Sequence, residues 1–155
     1  MTLPRLTSRR KHLRRRWTVP ADAESPAVLR IHARSELVHW DVPGPAIDEA
    51  IMVLNELVSN ALQHSRARTE VRLSYNGDRI RIRVRDDSAQ PPNLRPRSLL
   101  AVAGRGLQLV DAIAHGWGWR PHAIGKTVWA SIRTGPVSPA PGVVHYLRPP
   151  ALLLH

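Results

Sequence analysis

The segment 69–86 alternates apolar and polar residues with period two on both sides of an Asn-Gly-Asp stretch. Val71, Leu73 and Tyr75 share one face of "TEVRLSY", and Ile80, Ile82 and Val84 share one face of "RIRIRVRD". The "NGD" between them is a turn signal, so the segment predicts a β-hairpin. Its other face carries Arg72, Arg79, Arg81, Arg83 and Arg85. A sheet that is apolar on one face only predicts two layers, with helices packed on that face. Residues 46–64 give the strongest helical pattern, with Ile47, Ile51, Leu54, Val58 and Ala61 in one apolar stripe. Residues 26–40 also read as helix, with Val28, Ile31, Ser35 and Val38 near the helical repeat and Leu29 and Trp40 beside them. "DVPGP" separates the two helices. A shorter helix is expected over 104–114, and two strands over "HGWGWR" and "KTVWASIR" with a turn near "PHAIG". The fold class expected from this order is α/β (α+β): a two-layer sandwich with a mixed, mostly antiparallel sheet and helices on one face.

Charge divides the chain. Its net charge is +11, and of its 23 basic residues only Lys11 and Lys126 are lysines. Seven basic residues between Arg5 and Arg16 mark residues 1–18 as a basic, solvated arm that could hold nucleic acid weakly. The Arg row of the hairpin reads as a solvated sheet face. No aromatic residue interleaves with it along the hairpin, and single-strand binders use aromatic platforms. Residues 19–134 are the foldable domain, and 135–155 a Pro-rich tail. With no cysteine, disulfides and thiol chemistry are excluded. No stretch approaches the ~20 apolar residues of a membrane span, and no secretory peptide is evident, so a cytoplasmic place is expected.

Candidate chemistry lies in three places. On the long helix, Glu56, Asn60 and His64 recur every fourth residue, roughly 160–200° round from Val58 and Leu54 at ~100° per residue. An amide oxygen suits magnesium, which takes few protein ligands; a carboxylate one turn earlier could polarise a hydroxyl or water. The second strand of the hairpin ends in Asp86, which could accept a hydrogen bond from a purine amine. "GRGL" at 104–107 opens a helix, where glycines and free N–H groups can approach an anion. Each feature alone is ordinary: a polar helix face, a turn-forming Asp, a common Gly-x-Gly.

Their order is more specific. A Glu/Asn helix, a hairpin ending in Asp, a long loop, Gly-x-Gly opening a helix and "GKTVW" on a strand resemble the GHKL ATP-binding superfamily of gyrase B and the histidine kinases. "ELVSNALQHS", "VRDDSAQPP", "GRGLQLVDAIAHGWGWR" and "GKTVWASI" are most similar to the anti-sigma-factor serine/threonine kinases and their small actinobacterial relatives. The resemblance covers roughly residues 18–134 and implies the Bergerat-type ATP-binding fold, with ATP and Mg2+ as cofactors. It implies Glu56 as catalytic base or hydroxyl orienter and Asn60 as the magnesium ligand. Asp86 would anchor the adenine amine, with Thr127 supporting that hydrogen-bond set. Gly104 and Gly106, with the backbone of Arg105 and Leu107, would approach the phosphates. The implied partners are a sigma factor and an anti-anti-sigma (antagonist) protein, with a homodimer as the common assembly; a non-catalytic nucleotide-binding regulator is the alternative. Ser88 stands where the family usually has glycine, His64 has no assigned role, and Lys126 reads as solvated.

Overall fold

The computed structural model describes residues 12–92 and 106–135. Residues 1–11 of the arm, the long loop with Gly104 and Arg105, and the tail beyond 135 lie outside the described residues. The elements run β1 (Leu13–Val19), α1 (Ser25–His39), α2 (Gly44–His64), β2 (Thr69–Tyr75), β3 (Arg79–Asp86), α3 (Gly106–Ile113), β4 (Gly116–Pro121) and β5 (Lys126–Arg133). The five strands form one sheet in the order β1-β2-β3-β5-β4, and every pairing is antiparallel. The expected two-layer α+β sandwich is present, with an antiparallel rather than a mixed sheet among the described residues. None of the described helices is long and apolar enough to cross a membrane.

The hairpin forms as its pattern dictates. Asn76 Oδ1 accepts from the backbone N–H groups of Asp78 and Arg79, and Gly77 takes φ 91°, a conformation a glycine adopts without a Cβ penalty. Val71, Leu73, Ile80, Ile82 and Val84 are buried against the helices. From the other side, α2 contributes Ile47, Ile51, Leu54, Val58 and Ala61, with Val53 and Leu57 equally buried. The helix therefore buries a wider arc than its expected stripe.

Two expectations need correction. Leu13–Val19, expected as the end of a solvated arm, is the edge strand, paired with β2 from Leu13↔Tyr75 to Val19↔Thr69. Its alternation is masked because Arg15 falls on the inner face, where its side chain reaches Glu36 of α1 at 2.9 Å. In α1 the buried residues are Leu29, Ala33 and Leu37, while Val28, Ile31 and Val38 are exposed. Two stripes of helical spacing compete in this segment, and the one containing the small Ala33 allows α1 to lie close to its neighbours. A C-terminal 6→1 bond from Val42 N–H to Leu37 O and a 5→2 bond from Asp41 N–H to Val38 O close α1, with Asp41 left-handed at φ 57°.

Candidate functional site

The start of β5 and the end of α2 meet at the C-terminal end of β3. Asp86 is its last residue, and its side chain is fully buried. Oδ1 accepts from the Ser88 backbone N–H at 2.9 Å and from Lys126 Nζ at 3.0 Å. Oδ2 is buried without a partner among the described residues. A carboxylate oxygen out of water and without a donor is costly, and here it offers an acceptor to a ligand N–H.

Lys126 was expected in solvent. It is instead 1% exposed, opposite Asp86 across the β3–β5 ladder. The reason is strand parity: Lys126, Val128, Ala130 and Ile132 share the buried face. Thr127 follows the opposite parity. It pairs with Arg85 in the ladder, and its hydroxyl lies 2.7 Å from His122 Nε2. The supporting place beside Asp86, expected for Thr127, is therefore held by Lys126. The alternation Lys-x-Val-x-Ala-x-Ile was the signal in the sequence that marks it. Burial, then Arg85 and Arg120, hold the His122 imidazole below its usual value.

The turn before β5 packs against the backbone that carries this carboxylate. Gly125 has φ 84°, and a Cβ there would sit 1.9 Å from the Asp86 backbone oxygen. Only glycine lets the β4–β5 turn lie this close to the Asp86–Asp87 backbone. Ser88, at the position where the family usually has glycine, is not among the residues of positive φ. Its Oγ accepts from Gln90 N–H at 3.2 Å, so the turn after Asp86 closes without a glycine.

The end of α2 is tied to the same place. Ser65, its C-cap, donates its hydroxyl to Asp87 Oδ1 at 2.6 Å, which holds the Asp87 carboxyl below its usual value. Asn60 and Glu56 lie one and two turns back along the helix. Asn60 is 9% exposed, and Glu56 is half-buried. The polar stripe is thus not a solvated helix face. Burial pushes the Glu56 carboxyl up from 4.5, the direction expected of a group able to hold a proton in transit. His64 ends the helix, half-buried. Among the described residues no cluster of three His, Cys, Asp or Glu could hold a metal. Magnesium held by one amide and by phosphate oxygens requires none.

The third candidate segment begins at α3, whose first residue is Gly106, followed by Leu107. The first turn of a helix is a place where backbone N–H groups can meet an anion. Trp117 of β4, 2% exposed, donates its indole N–H to Asp111 Oδ1 at 3.2 Å and so joins α3 to the sheet. Gly104 and Arg105 lie outside the described residues.

The family described as histidine kinase-like ATPase domain matches residues 19–132. The chain belongs to that family. Among solved structures it is similar to the crystal structure of the RsbU and RsbW domains of Rv1364c from Mycobacterium tuberculosis, with a TM-score of 0.61 at 19% identity. The match covers 78% of this chain and 32% of that one, so it spans about a third of that solved chain. No curated protein matches. Within the family's fold, the orphaned Asp86 Oδ2, the buried Asn60 amide and the glycine-led start of α3 fit a purine nucleotide with a magnesium ion.

Proposed function

We propose that this chain is an ATP-dependent serine/threonine protein kinase of the anti-sigma type. It would bind a sigma factor and phosphorylate a serine of a small antagonist protein, acting as a homodimer in the cytoplasm. The observation that carries the nucleotide site is the buried, unpartnered Oδ2 of Asp86 beside the Lys126 ammonium. Together they form an acceptor next to a donor, which complements the exocyclic amine and adjacent ring nitrogen of adenine. Asn60 would hold magnesium, and the backbone at Gly104, Arg105, Gly106 and Leu107 would face the phosphates. Bound Mg-ATP supplies the transferable phosphoryl group and the metal that neutralises its charge. Glu56 would orient the antagonist serine and take its hydroxyl proton as the new O–P bond forms and ADP departs. Its raised pKa, from burial, supports that role.

Titration calorimetry with Mg-ATP tests the site. Asn60→Ala should remove the magnesium-dependent part of binding, and unchanged tight binding would overturn the assignment. Incubation with γ-labelled ATP and a candidate antagonist tests the reaction. Label that enters the antagonist and disappears with Glu56→Ala supports a kinase.

One observation favours a second reading, a non-catalytic regulator acting by protein contacts. Lys126 Nζ donates to Asp86 Oδ1 at 3.0 Å, so one oxygen of the base anchor is satisfied by the chain's own side chain. Nucleotide binding without transfer to any antagonist would favour this reading.

A further inference from the structure

The sheet face turned away from the helices carries a second site. In one register row Arg16, Arg72, Arg83 and Trp129 stand side by side on β1, β2, β3 and β5. The next row brings Arg14 and Arg81 alongside. The basic segment before residue 19, as an edge strand, thus widens the arginine face from two strands to three. These guanidiniums line a shallow concavity of about 770 Å³ that also includes Ser74 and Ser131. Glu70 answers two of them, lying 2.7 Å from Arg72 and 3.9 Å from Arg16. Partial desolvation, followed by the repulsion of Arg81, Arg72, Arg120 and Arg14, makes the exposed Arg83 easier to deprotonate than a free guanidinium. Among the described residues the concavity is lined by more arginines than carboxylates, Asp78 being the acidic side chain in its lining.

Trp129 changes what kind of anion fits. The hairpin alone has no aromatic residue on its arginine face, but strand pairing supplies one from β5. The indole lies down over β4 because Gly118 has no side chain: a Cβ there would sit 2.9 Å from the ring. Arg81 stands over the ring at 5.9 Å from its centroid, at the outer limit of cation–π range. A stacked base can replace that loose contact and release the guanidinium to a phosphate.

We propose that this outer sheet face binds single-stranded nucleic acid, with a base stacking on Trp129 and the backbone phosphates held by Arg14, Arg16, Arg72, Arg81 and Arg83. Arginine forks match phosphate oxygens in pairs, and side chains two apart along β3 repeat every ~6.8 Å, a spacing an extended strand can follow. An acidic peptide would use the charges but has no need of the indole. The site lies on the opposite side of the sheet from Asp86, so it does not depend on the nucleotide reading.

The test is fluorescence anisotropy of the full chain with a labelled oligothymidylate, its duplex of equal length, and polyglutamate as competitor, over about 50–200 mM salt. The expected result is preference for the single strand, with affinity falling steeply as salt rises. Arg81→Ala/Arg83→Ala should flatten the log–log salt slope by roughly 1.4, for two lost single-strand phosphate contacts. Trp129→Ala should weaken single-strand binding at least about fivefold and leave duplex binding unchanged. Arg81→Glu/Arg83→Glu changes only exposed side chains and keeps the basic N-terminal residues, with its unfolding midpoint as the folding control. Unchanged binding in that folded variant would place the interaction elsewhere and overturn the proposal. Equal affinity for duplex, or displacement by polyglutamate at matched charge, would overturn it in favour of a duplex or an acidic protein.

Discussion

Lys126 Nζ and Asp86 Oδ1 meet 3.0 Å apart across β3 and β5, with side chains 1% and 0% exposed. A buried ion pair of this kind contributes little net stability over an apolar pair, yet losing one partner leaves a buried charge uncompensated. Lys126→Met should therefore destabilise the fold by about 3–5 kcal/mol. Asp86→Asn/Lys126→Met should cost much less than the sum of the two single changes. Urea unfolding of the four proteins measures the coupling. Additive losses would show that the pair acts as two independent polar groups.

The same pair shows what could be read from the chain and what could not. The hairpin 69–86 and the α2 stripe were legible because each follows one uninterrupted period. The α1 face was not, since Val28, Ile31 and Val38 compete at helical spacing with Leu29, Ala33 and Leu37, and packing against α2 decides between them. β1 was hidden by Arg15, an inward position filled by a charge whose partner, Glu36, lies in another element. Of the candidate site, Glu56, Asn60 and Asp86 were named from order and spacing. Lys126 was missed because a lysine invites a solvated reading, although the parity of Val128, Ala130 and Ile132 puts it inside. The same parity turns Thr127, which the resemblance ties to Asp86, toward Arg85 and His122.

Glu56 is expected to carry a stability penalty for its placement. Burial raises its folded-state pKa above 4.5, so the folded chain binds this proton more tightly than the unfolded one. Linkage then lowers stability as pH rises from the unfolded value through the folded one. Glu56→Gln should be more stable than the parent at neutral pH. Because the carboxyl is partly solvated, the gain should stay under about 1 kcal/mol, and the two proteins should converge below pH 4.5, where both forms of the parent are protonated. Thermal midpoints across pH 4–8 read the difference. A variant less stable than the parent at pH 7 would reverse the sign assigned to this group.

Asp41 occupies the left-handed position that ends α1, at φ 57°. Aspartate tolerates this conformation better than most residues, but glycine takes it without a Cβ penalty. Asp41→Gly should raise stability by about 0.5–1 kcal/mol, the relief of strain being partly offset by the freer unfolded chain. Asp41→Val should lower it. The order Gly above Asp above Val in unfolding midpoint checks the assignment, and any other order points to a role for the Asp41 carboxylate.

Gly125 joins the backbone turn to the candidate nucleotide site. A methyl group there meets the Asp86 backbone oxygen at 1.9 Å and the Asp87 Cα at 2.7 Å, at a φ of 84° that alanine rarely adopts. Neither contact is with the far end of a flexible side chain, so the β4–β5 turn and the end of β3 must separate. Gly125→Ala should cost about 1–3 kcal/mol from the strained backbone alone, and more from the clash. Separation would also move Lys126, one residue on, away from Asp86. Mg-ATP affinity should therefore fall in Gly125→Ala even in the fraction that stays folded. Gly77→Ala supplies the control: its φ is similarly positive at 91°, but its Cβ would meet nothing within 4 Å, at the far end of the β2–β3 hairpin. It should lose stability without losing nucleotide affinity. Equal affinity losses in the two variants would mean that general destabilisation, and not the fit of the turn around Asp86, governs the site.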